Sequence, residues 1–63
     1  MKELNHNQRV MLDDICLSVV IKGGIVNPTQ YDLFRKTVES LQKEYRVGEY
    51  LMMLDLYKGL LSN

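Results

Sequence analysis

Few side chains in this sequence have the chemistry for catalysis, and their spacing decides against most of it. His6 is the single imidazole and Cys16 the single thiol. A metal ligand or general base at His6 needs Cys, His or carboxylate neighbours at ligand spacing, and the surrounding polar stretch offers none. Cys16 sits between Ile15 and Leu17, where a thiol behaves as a small hydrophobe with no adjacent base to make it a nucleophile. Asp13 and Asp14 are consecutive, so on a helix they point about 100° apart and cannot share a proton as a catalytic dyad. Lys22-Gly23-Gly24 lacks the Gly-Lys-Ser/Thr ending and the strand context of a phosphate loop. No Ser–His–Asp or Cys–His set can be assembled. The reading is of a non-enzyme with no catalytic, cofactor-binding or metal-binding residues and no small-molecule substrate.

Two other groups of residues carry more information. Arg35, Lys36, Lys43 and Arg46 form a basic cluster interspersed with Asp32 and Glu39. A nucleic-acid face is one use for them, and the segments around Gly48 superficially form a helix-turn-helix. The second helix of that pair, however, offers Leu, Met and Tyr where Arg, Asn or Gln would read base edges. A solvated, salt-bridged helix face is the simpler account. The second group runs from Tyr50 to Leu61, where Asp55 is the only acid and Lys58 the only base. One helix of a three-helix bundle buries about half its circumference, and this segment is apolar nearly all round. Met repacks easily and Tyr keeps a polar tip, so both suit interaction surfaces. The expected protein interface is Met52, Met53, Leu56, Tyr57 and Leu60 as a buried anchor, with Tyr45 and Tyr50 at its rim.

Three helices are needed to hold these groups. Helix 1 is expected over about 5–22, capped by Asn5 with Gln8 three residues on. Met11, Ile15 and Val19, flanked by Leu12 and Cys16, give it one apolar face. Val10, Leu17 and Ile21 give it a second, as suits a helix packed both on its own fold and on a partner. A hairpin is the rival for residues 19–26, because Val19-Val20-Ile21 and Ile25-Val26 flank Gly23-Gly24. Its short second arm weighs against it. Helix 2 is expected over 28–46, with Asn27 as N-cap, Pro28 at the first position and a Val26–Tyr31 hydrophobic staple. Tyr31, Phe34, Val38, Leu41 and Tyr45 make a single narrow seam. Asp32–Lys36 and Glu39–Lys43 are spaced as acid-before-base pairs. Helix 3 is expected over 49–61, with Gly48 as the break before it and Gly59 as its end.

Composition frames the whole. The chain has 63 residues, eight Lys+Arg against eight Asp+Glu, and 46% apolar residues. That is one helical domain, too apolar for disorder and with no net charge to steer it to nucleic acid or an anionic membrane. One cysteine excludes an internal disulfide, no apolar run spans a bilayer, and no signal peptide opens the chain. The expected setting is therefore cytoplasmic. A core this small, with neither disulfide nor metal to support it, commonly finds further burial in another subunit. The expectation is an all-α compact three-helix domain completed by homodimerisation. Its expected work is to bind another protein as an adaptor or inhibitor that occludes it. Small size, the absence of alanine and the lack of a catalytic set fit a prophage- or mobile-element-encoded regulator. The alternative is a small dimeric DNA-binding regulator that uses the helix 2 face.

Overall fold

The computed structural model describes residues 1–61, and the elements within them are α1 (His6–Val19), β1 (Val20–Ile21), β2 (Ile25–Val26), α2 (Pro28–Gln42) and α3 (Gly48–Leu61). The domain is mostly helical, with three helices and a small two-stranded sheet. Asn5 caps α1 as the sequence predicts: its Oδ1 accepts from the Gln8 N–H at 2.8 Å, and Gln8 Oε1 accepts from the Asn5 N–H at 2.9 Å. Asn27 caps α2 in the same way, accepting from the Thr29 and Gln30 N–H groups at 3.0 and 3.2 Å. Each cap satisfies helix donors that have no partner within the helix.

The helix 1 boundary at residue 22 is corrected by the hairpin. α1 ends at Val19, and Val20 pairs antiparallel with Val26 and Ile21 with Ile25. Gly23 and Gly24 have φ of +94° and +78°, the left-handed region that a tight turn needs and that side chains resist. The short arm survives because it is not alone. Val26 is buried against the body of the domain, the Asn27 N–H donates to the Val19 carbonyl at 2.8 Å, and α3 packs against β2.

The helix 2 boundary at residue 46 is corrected as well. α2 stops at Gln42, and a turn delivers Tyr45 to a parallel bridge with Lys2. The Lys2 N–H donates to Glu44 and the Arg46 N–H donates to Lys2, at 2.9 and 2.8 Å. This N-terminal strap covers one end of the core, where Leu4 and Val47 are buried. Gly48 is the first residue of α3 rather than a break outside it, and Gly59 lies inside the helix, which runs on to Leu61.

α1 and α3 meet where the Tyr50 hydroxyl reaches Asp13 and the Tyr57 hydroxyl reaches Cys16. α2 packs on both. Phe34, Leu12, Val19 and Val38 are fully buried at the centre. Tyr50 and Tyr57 stand edge-on or tilted to Phe34, each with its ring centroid 6.2 Å away, in the range where aromatic pairs add stability beyond their buried area.

Candidate functional site

α3 has two unlike sides, and the sequence did not say which faces inward. Tyr50, Leu54 and Tyr57, at i, i+4 and i+7, line the core, with Leu51 and Met53 partly buried beside them. Met52, Leu56 and Leu60 repeat every four residues on the other side and remain 71, 63 and 48% exposed. Leu17 on α1 is 79% exposed. It follows Cys16 and lies one turn beyond Asp13, the two α1 residues that touch the α3 tyrosines, so it flanks the α1–α3 seam. Met52, Leu56 and Leu60 thus form an exposed apolar stripe on α3, and Leu17 is a further exposed apolar residue on α1.

The expected interface divides accordingly. Tyr50 and Tyr57 are removed from it, because both are buried in the domain's own core. The Tyr50 hydroxyl donates to Asp13 Oδ1 at 2.9 Å, and the Tyr57 hydroxyl lies 3.2 Å from Cys16 Sγ. Burial and the Asp13 carboxylate push the Tyr50 phenol upward, and burial beside Cys16 pushes that of Tyr57 up to about 12. Both groups stay protonated, which suits ties between helices. Tyr45 is half-buried at the opposite end of α2, with Lys2 Nζ 5.9 Å from its ring centre. Met53 packs against the core. Met52, Leu56 and Leu60 keep their outward position. Leu17, from the second apolar stripe on α1, is exposed as well.

Charge borders this stripe. Asp55 joins Met52 and Leu56 in lining a shallow recess of about 310 Å³. Asp13 is exposed at the seam, and Glu49 reaches Arg9 only at 4.0 Å. α1 and α3 together carry four acids (Asp13, Asp14, Glu49, Asp55) against two bases (Arg9, Lys58), so the rest of this neutral chain carries the compensating positive charge.

The basic cluster on α2 is largely engaged within its own surroundings. Arg35 donates to Asp32 at 2.8 Å and to Glu39 at 2.9 Å, Lys36 pairs with Asp32 at 3.0 Å, and Arg46, beyond the helix end, pairs with Glu3 at 3.5 Å. The Arg35 and Lys36 hydrogen bonds hold the Asp32 carboxyl below its usual range, and Asp32 in turn raises Arg35. Glu39 thus pairs with Arg35 rather than with Lys43 as expected. Exposed pairs of this kind contribute little stability.

The isolated groups stay apart. His6 is exposed at the first turn of α1, Asp14 points to solvent, and Gly23-Gly24 forms the hairpin turn. Among the described residues, no three His, Cys, Asp or Glu side chains are grouped to hold a metal ion, and no helix is long and apolar enough to cross a membrane. No protein-family model, curated protein or solved structure matches the chain.

Proposed function

We propose that this chain acts by binding another protein, as a small adaptor or inhibitor that masks a partner, and that the exposed α3 stripe is its docking surface. The observation that carries this reading is the exposed stripe Met52, Leu56 and Leu60 on α3, with Leu17 a fourth exposed apolar residue on α1. Scattered apolar residues on a surface are ordinary, whereas a contiguous apolar patch rimmed by charge is the usual mark of a protein contact.

The magnitudes fit a binding module. Burying a Leu or Met side chain completely contributes about 1.5–3 kcal/mol. Since these four are roughly two-thirds exposed, covering them supplies on the order of 4–8 kcal/mol. Association itself costs about 4–15 kcal/mol. The patch therefore supports docking only against a partner that brings apolar residues of its own.

Homodimerisation is a second reading, and a different feature favours it. Ile21 and Ile25 face each other across the hairpin and are both exposed. A second hairpin laid against the first would cover them.

Leu56→Glu tests the main reading. With circular dichroism unchanged, this variant should lose a partner that the parent protein captures from its native lysate, while Lys36→Glu/Lys43→Glu keeps it. The opposite pattern transfers the function to α2 and to the nucleic-acid alternative. A melting temperature that rises with protein concentration, and does so no longer in Ile25→Ser, marks the dimer.

A further inference from the structure

We propose that the Met52–Leu56–Leu60 stripe is covered by a second copy of this chain, its α3 laid antiparallel on the first, when no partner occupies it. The inference concerns the docking stripe proposed above. It rests on that reading for its consequence, which is that copy and partner compete for one surface.

The stripe has the form of a helix–helix contact. Met52, Leu56 and Leu60 follow at i, i+4 and i+8, and all are exposed along one side of α3. Gly59 falls on the same side, seven residues after Met52 and three after Leu56. A Cβ there would meet nothing within 4 Å. A glycine inside an exposed helix weakens it, and what it offers in return is room for another backbone to approach. Tyr50, Leu54 and Tyr57, on the opposite side, are buried in the domain's own core. An approaching copy therefore needs no rearrangement of the fold.

The charges on the flank select a second copy. Asp55 borders the stripe with Met52 and Leu56, and Lys58 follows it by three residues on the same flank. These two are the only charged side chains after Glu49. When a copy is turned end for end about an axis through Leu56, Met52 meets the copy's Leu60 and Leu56 meets Leu56. Like flanks lie together in that arrangement. Asp55 then stands about 1.5 Å along the axis from the level of the copy's Lys58, against about 3 Å for the copy's Asp55. Opposite charges are the nearer neighbours on both sides of the axis. Glu49 lies outside the overlap, which covers residues 51–61.

The size of the contact sets its strength. Residues 51–61 supply about 16 Å of helix, and a ridge of three side chains buries well under the roughly 800 Å² per partner of a stable complex. The dimer is accordingly weak, with a dissociation constant on the order of 100 μM. A partner of higher affinity displaces the copy, so the stripe is masked in concentrated free protein and open in dilute protein.

Sedimentation equilibrium of the full chain is the test. The mean mass should rise from 7.4 kDa at about 5 μM towards twice that at about 500 μM. Leu56→Ser removes the central contact from both copies and should weaken association about tenfold, with an unchanged melt in dilute protein. Gly59→Leu should weaken it too, while raising the melting temperature of the dilute protein. Leu33→Ser on α2 and Ile25→Ser on the hairpin should leave it unchanged. Asp55→Lys alone and Lys58→Glu alone set like charges together, so each should associate about fivefold more weakly than the parent. An equimolar mixture of those two variants restores opposite charges and should recover the parent's mass. A mean mass of 7.4 kDa throughout, an association that Ile25→Ser abolishes, or a mixture no heavier than its components overturns the proposal. Dimerisation with partner capture retained in Leu56→Glu keeps the copy on the stripe and removes the docking role. A monomer at every concentration that loses capture in Leu56→Glu does the reverse.

Discussion

Tyr57→Phe separates the contribution of the buried tyrosine from everything else that happens to this domain at high pH. Tyrosine is neutral when protonated. A phenol raised from 10.0 in the unfolded chain to about 12 in the fold keeps its proton where the unfolded chain releases it. Its stabilising effect is whole below pH 10 and disappears as pH rises through about 12. Two units amount to about 3 kcal/mol at the end of that window, and roughly half of it is already lost by pH 11. In a domain this small, that lowers the melting temperature by roughly 6–11 °C. Removing the hydroxyl also removes its contact with Cys16, 3.2 Å away, which costs about 1 kcal/mol at neutral pH. Thermal melts followed by circular dichroism between pH 7 and pH 11.5 should therefore cross. Tyr57→Phe should be the less stable protein at pH 7 and equal to the parent near pH 11. Lysine deprotonation affects both proteins, so it drops out of the difference. Because burial is the largest cause of the shift, Cys16→Ala should retain most of the alkaline slope. Parallel curves for the parent and Tyr57→Phe would refute the placement of this hydroxyl in the core.

Other substitutions probe the remaining elements. Phe34→Ala empties the centre of the core and should cost about 3–5 kcal/mol, comparable to the whole stability of a domain this size, so the variant should be unfolded by circular dichroism at 37 °C. Asn27→Ala leaves the Thr29 and Gln30 N–H groups without their acceptor and should cost about 1 kcal/mol, read as a shift in the urea midpoint with unchanged slope. Gly23→Ala and Gly24→Ala each force a side chain into positive φ and should cost about 1 kcal/mol, although space around both glycines is open. Asp32→Asn breaks two exposed ion pairs and should leave the midpoint of chemical denaturation essentially where the parent has it.

What could be read from the sequence was local. Asn5 with Gln8, Asn27 with Pro28, and the Tyr31–Phe34–Val38–Leu41 seam are short-range patterns, and each specifies its own turn of helix whatever packs against it. The hairpin was visible in Val20-Ile21-Gly23-Gly24-Ile25-Val26, but its stability comes from α3 packing on β2, a contact that no local pattern announces. The Lys2–Tyr45 bridge was invisible because backbone pairing leaves no side-chain signature, and it decides where α2 ends. α3 is the most instructive case. A helix with apolar residues on every side has no amphipathic direction, so sequence marked the segment as over-supplied with apolar surface and left its orientation open. Phe34 and the two hydroxyl partners, Asp13 and Cys16, turn Tyr50 and Tyr57 inward. That choice leaves Met52, Leu56 and Leu60 on the outward surface.

The central claim, docking through the α3 stripe, is tested most directly by photocrosslinking in the native cell. p-Benzoylphenylalanine placed singly at Met52, Leu56 or Leu33 reads which face meets another protein. The account predicts adducts of one common mass, larger than a pair of this chain, from positions 52 and 56, and none from position 33 on α2. Adducts from position 33 alone would contradict it.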